Sequence, residues 1–253
     1  MEPIHFGPAN RLFGLRCEPT ATPRRTALLI CHPWGVEYMR CYRALHLLAR
    51  ELAARGIENL RFDYTGTGDS GDADGGDASL DDWLEDIRHA AQELRTLAGA
   101  ERIAILGLRL GALLATRAVD AGLRAEHLIL WDPPASGRVW IEELQALDRE
   151  HYARKNRYLP AALQLHSRPD ELLGLPCPIG LQEAIAPLAA TPAGDAARLI
   201  SLLSPDVAAV AVTGEQVRLP DASHWTDIEW VTRPWTPAAT PRVVCETLAE
   251  RLQ

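Results

Sequence analysis

Short apolar runs alternate with stretches of helical spacing along most of the chain. Ile4-His5-Phe6 and Leu12 to Cys17 read as short strands joined by a turn. Ala27-Leu28-Leu29-Ile30-Cys31 is apolar on both sides and closes in His32-Pro33-Trp34-Gly35, the pattern of a buried strand feeding a loop. Leu45, Leu48 and Leu52 recur at helical spacing over residues 41–55, and Gly56 stops the helix. Asn59 to Asp63 is another strand, followed by a loop rich in glycine and aspartate (Gly66, Gly68, Gly71, Gly75, Gly76). Ser79 caps a helix through Leu97, with Asp81 and Asp82 in its first turn, where the helix dipole favours negative charge. Arg102 to Leu106 and His127 to Asp132 are two further strands, flanking an Ala/Leu-rich helix that ends near Gly122.

Strands and helices alternating at this spacing predict an α/β protein with a mostly parallel, doubly wound sheet. The alternation breaks over residues 133–195, where Pro133-Pro134, a charged stretch from Asp148 to Arg157 and several Pro-punctuated helical pieces follow one another. This segment reads as a helical cap inserted over one end of the sheet, within a single domain spanning 1–253. The alternation resumes with Arg198 to Leu203 and Gln216 to Leu219, and a helix from Pro241 to Leu252 closes the chain.

Composition narrows the class. With 253 residues and 47% hydrophobic content the chain is long enough for a substantial core. It has no uncharged apolar run of the ~18 residues a membrane span needs. The N-terminus lacks the basic region and apolar stretch of a secretory signal, so the expected location is the cytoplasm. A net charge of −8 disfavours nucleic acid as a partner. The five cysteines are odd in number and contain no CxxC pair, which argues against a disulfide framework or a zinc site. The histidines are scattered without paired spacing and no dinucleotide-type glycine motif is present, so no metal and no cofactor are expected.

The most informative element is the turn Gly107-Leu108-Arg109-Leu110-Gly111, between a strand and a helix. Two glycines flanking one residue in that position have the form of a nucleophile elbow. With His32-Pro33-Trp34-Gly35, Asp63-Tyr64-Thr65-Gly66-Thr67-Gly68-Asp69-Ser70 and Trp131-Asp132-Pro133-Pro134-Ala135-Ser136-Gly137, it resembles the α/β-hydrolase superfamily over almost the whole length. Within it, the chain is similar to the exosortase-system-associated hydrolases. The resemblance implies an α/β-hydrolase fold and a small or carrier-linked acyl substrate in a bacterial biosynthetic pathway.

The departure from that pattern lies at the elbow's centre. Hydrolases of this fold carry serine there, and here the residue is Arg109, whose guanidinium has no accessible deprotonated form and is no nucleophile. The remaining machinery is placed by family position. Asp206 follows the penultimate strand and His224 the last one, so Asp206 is the candidate acid partner of a His224 general base, with Asp132 as a second candidate acid. The plainer alternative has Asp206 capping a helix that begins at Val207 and His224 as a loop histidine. The amide of Leu110 and one from the Pro33-Trp34-Gly35 loop are the expected oxyanion donors, with Leu108 beside the elbow and His32 organising the loop. Arg109 at a helix N-terminus would hold a carboxylate, phosphate or oxyanion, or else turn aside and pair with Glu37, Asp63 or Asp132. Trp225, with Trp230 and Trp235, either walls the pocket or packs as ordinary core.

Two classes of function follow. One is an enzyme without an acyl-enzyme, in which His224 activates water or a substrate proton while Arg109 and loop amides hold the oxyanion; lyase, cyclisation or acyl-transfer chemistry is compatible with the same fold. The other is a non-catalytic pseudo-hydrolase that binds an anionic ligand. The expected partner is a small-molecule or carrier-bound acyl substrate, and the oligomeric state is left open, a homodimer included.

Overall fold

β3 (Thr26–Cys31) is buried at every position, as a strand covered on both faces must be. The computed structural model of the protein describes residues 1–73, 77–193, 197–208, 214–231 and 233–252; Gly75 and Gly76 of the expected loop, and the last two residues of the 133–195 segment, lie outside them. Upstream, β1 (Glu2–Phe6) and β2 (Leu12–Cys17) form an antiparallel hairpin. Downstream come α1 (Val36–Ala54), β4 (Asn59–Phe62), α2 (Leu80–Ala98), β5 (Arg102–Leu108), α3 (Leu110–Asp120) and β6 (His127–Trp131). Then follow α4 (Gly137–Asn156), the two-residue strands β7 (Glu171–Leu172) and β8 (Leu175–Pro176), and α5 (Ile179–Ile185). β9 (Arg198–Leu203), β10 (Glu215–Arg218) and α6 (Thr240–Arg251) complete the chain.

Eight of these strands form one sheet in the order β1-β2-β4-β3-β5-β6-β9-β10. From β4 to β10 every pairing is parallel, and β2 joins β4 antiparallel. The mostly parallel, doubly wound sheet expected from the strand–helix alternation is therefore present. β3 lies between β4 and β5, so the connections leave it in opposite directions. The crevice beyond the carboxyl ends of β3 and β5 is the switch point where such sheets hold ligands.

Two apolar cores flank the sheet. One gathers α1 and α6 residues (Leu45, Leu48, Val244, Leu248) around Trp131, Trp225 and Trp235. The other packs α2, α3, α4 and α5 through Trp83, Leu113, Trp140 and Ile185. Ser79 and Asp82 form a reciprocal capping box at the start of α2, which accounts for the sharp beginning of that helix.

Two local expectations are corrected. α1 begins at Val36, five residues before the apolar periodicity shows itself, because Gly35 at φ 62° turns the chain directly into helix. The first turn carries Glu37 and Arg40, polar residues that are nonetheless buried. Among the described residues no helix starts at Val207: residues 205–206 form a turn and 207–208 are not helical.

Candidate active site

Arg109 occupies the turn from β5 into α3 with φ 54° and ψ −120°. The two flanking glycines are obligatory for close approach. A Cβ on Gly107 would lie 2.4 Å from the Gly111 carbonyl oxygen, and one on Gly111 would lie 2.2 Å from that of Cys31. The elbow is thus pressed between α3 and the end of β3. Leu108 and Leu110 on either side are fully buried.

The guanidinium does not face open solvent. Arg109 Nε donates to Glu37 Oε1 at 2.7 Å, and Nη2 pairs with Glu143 of α4. Glu37 Oε2 accepts from the Trp140 indole at 3.0 Å. The Trp225 ring lies 5.7 Å from the guanidinium carbon. The side chains of Arg109 and Glu37 are only 3% and 2% exposed. Burial works against the arginine's charge, but Glu37 and Glu143 outweigh it and raise its pKa above the ordinary guanidinium value. Of the three partners considered from sequence, Glu37 makes the pair. Asp63 instead accepts from Tyr38 Oη at 3.1 Å and from the Asp69 amide at 3.0 Å.

Asp132 is held elsewhere too. Fully buried, it accepts from the Ser204 amide and hydroxyl, both at 2.7 Å, and from Trp225 Nε1 at 2.8 Å. Burial pushes its carboxyl upward, against the pull of those hydrogen bonds. Asp206 and His224 are brought together, but through the backbone. Asp206 Oδ2 accepts from the His224 amide at 2.6 Å and Oδ1 from the Ser223 amide at 2.8 Å. Burial opposes the charge on Asp206, while these amides hold its pKa below the usual carboxylate range. The imidazole of His224 stacks on Trp230, ring centroids 4.7 Å apart.

His224 has φ 53°, and a second residue outside the expected set helps keep it there. Buried Arg40 donates to the carbonyls of Ser223 at 3.0 Å, His224 at 3.2 Å and Arg233 at 3.3 Å. Its guanidinium also lies 5.1 Å from the Trp225 centroid, so Trp225 sits against both Arg40 and Arg109. Arg109, Asp132 and His224 are thus three non-glycine residues at positive φ on the same carboxyl edge of the sheet. Such outliers persist only where the surroundings over-determine them.

On the other side of the crevice, His32 Nδ1 lies 2.6 Å from the Pro33 carbonyl oxygen, and its ring stacks on Tyr38 at 3.7 Å. Burial drives its pKa well down, which keeps it neutral and suits it to ordering the loop. Burial likewise pushes the Cys31 thiol up to about 12, so it supplies no thiolate. A cavity of about 630 Å³ opens beside Trp34 and Gly35, beneath the β8 end of the β7–β8 hairpin.

Glu143, Trp140 and Arg40 are the participants that sequence reasoning missed. Glu37 and Arg40 stand three apart on α1 and share a face, a signal that a helix started at residue 41 conceals. Trp140 and Glu143 have the same spacing on α4.

The sequence matches the family described as serine aminopeptidase S33 over residues 22–156. No curated protein matches it. Among solved structures, a hypothetical protein from Pseudomonas aeruginosa aligns with a TM-score of 0.64 at 16% identity, covering 100% of this chain and 93% of that one. An esterase from Pyrococcus furiosus aligns at 0.59 and 18% identity, over 99% and 90% of the two chains. A bottromycin epimerase, solved with bottromycin A2, aligns at 0.56 and 15% identity, over 96% and 95%. At these identities the likeness is one of fold, the α/β-hydrolase fold.

Proposed function

The chain belongs to the serine aminopeptidase S33 family, and on that premise we propose hydrolase-type chemistry on a small or carrier-linked acyl ester or thioester, without an acyl-enzyme. The observation that carries the reading is His224: a histidine at φ 53° on the loop after β10, its backbone held by Asp206 and Arg40 at the sheet's carboxyl edge. Strain held in place by a network of hydrogen bonds is what preorganisation of a reacting group requires. In this reading the imidazole takes a proton from water as the water oxygen bonds to the acyl carbon. The carbonyl oxygen then carries negative charge beside the amides of Leu110 and the Trp34–Gly35 loop. Collapse breaks the bond to the leaving sulfur or oxygen, which takes the proton back from the imidazolium.

Arg109 serves this reading as a pin. Paired with Glu37 and Glu143, it ties the elbow to α1 and α4, and in this arrangement α4 to α5 act as a cap over the edge. Its charge reaches an oxyanion only if Glu143 swings aside. Asp206 positions the histidine's backbone. The cytoplasm and a bacterial biosynthetic pathway complete the reading; the first is supported by five buried, unpaired cysteines, and the second is what the exosortase-associated resemblance implies.

A second reading has one observation in its favour. The cage around Arg109 fills the place where a nucleophile would meet substrate, as expected of a pseudo-hydrolase that binds and does not turn over. That the same fold includes an epimerase keeps non-hydrolytic chemistry in view. The test is the intact mass of the protein quenched during incubation with short acyl thioesters. Thioester loss with the chain at its unmodified mass supports the proposal; an acyl adduct contradicts it, and no thioester loss favours the binding module.

A further inference from the structure

The 630 Å³ cavity beside Gly35 lies within the ~300–1,000 Å³ of small-molecule sites. Its walls come from Trp34, Tyr38, Met39, Tyr42, the Gly66–Gly68 turn and the β8 residues Leu175 and Pro176, and none of these side chains is charged. Two of the three hydroxyls on those walls are already committed: Tyr38 Oη donates to Asp63 at 3.1 Å and Thr67 Oγ1 to the Tyr64 carbonyl at 2.8 Å. What they present to the cavity is therefore mainly ring face and methyl. At the rim, Met39 is 64% and Tyr42 44% exposed, an apolar surface an occupant would cover. The roof comes down on the loop itself, since a Cβ on Gly35 would lie 3.1 Å from Leu175 Cδ1.

We infer that this cavity holds the hydrocarbon chain of the substrate, with the chain's carbonyl end next to the Trp34–Gly35 backbone. The inference rests on the acyl reading above and names its substrate as one with an aliphatic tail. A polar or charged acyl group would forfeit its hydration here for few partners, the Tyr42 hydroxyl among them, whereas each methylene buried adds to affinity.

Methyl ketones carrying butyl, hexyl and octyl chains are suitable probes, because they keep the carbonyl and the tail but have no leaving group. Calorimetric titration of the wild-type protein should show affinity rising roughly fourfold per methylene until the cavity is full. Met39→Glu, which places charge at an exposed rim position, and Leu175→Trp, which fills the cavity, should each flatten that ladder. Affinity independent of chain length, or a ladder untouched by both folded variants, overturns the inference. The two proposals fail separately. A ladder without turnover of the matching thioesters leaves the chain site standing and removes the hydrolytic reading; turnover without a ladder does the reverse.

Discussion

Arg109 decides most at the scale of single residues. At the turn from β5 into α3 its guanidinium is one member of a buried charge cluster with Glu37 and Glu143. Removing one partner of a buried pair costs about 3–5 kcal/mol, because the other charge is left without compensation. Arg109→Ala should therefore lower the thermal midpoint by on the order of 10 °C, and Arg109→Met combined with Glu37→Met should recover much of the loss. A thermal scan in which the single variant matches wild type would contradict the pin. His32 gives a pH signature. Its pKa is depressed in the folded protein by burial, so the unfolded chain takes up a proton first as pH falls below ~6.5. Stability from this group is intact above that pH and is lost on the acid side. Denaturant melts across that range should show the slope shrinking in His32→Asn; an unchanged slope would assign it to other groups.

At the scale of elements, the loop following β10 and the start of α1 work as one unit. Arg40 donates to the carbonyls of Ser223, His224 and Arg233, and Asp206 accepts the Ser223 and His224 amides. Arg40→Ala or Asp206→Asn should speed amide exchange of residues 223–225 while leaving β5 and β6 protected, which hydrogen-exchange mass spectrometry reads directly. Uniform loss of protection would mean global destabilisation instead. This coupling was only half legible in the sequence. The placement of Asp206 and His224 after the last two strands follows from the family resemblance, but whether the carboxylate meets the ring or the amide depends on loop geometry that no periodicity encodes. The early start of α1 was hidden because Glu37 and Arg40 look like surface residues until their partners are known. Glu143 lies 34 residues beyond Arg109 on a different element, and nothing local marks it.

For the molecule as a whole, the strand–helix alternation was sufficient for the sheet, because each buried parallel strand announces itself as a two-sided apolar run. Gly107 and Gly111 then located the elbow, since only glycine permits the approach of α3 to β3. The contents of the 133–195 segment were less readable: its Pro-rich punctuation marked a departure from the alternation but not which side chains reach down to the elbow. In the proposed reading Arg109 is a buried structural cation at the nucleophile's place, and His224, its backbone held by Asp206 and Arg40, is the general base. The proposed hydrolysis requires that histidine. The most direct measurement is the steady-state hydrolysis of an aliphatic acyl thioester by wild type and by His224→Ala, both verified as folded. A loss of roughly 10²- to 10⁴-fold is expected in the variant, the usual contribution of a general base. Equal rates in the two proteins would contradict the general-base role of His224.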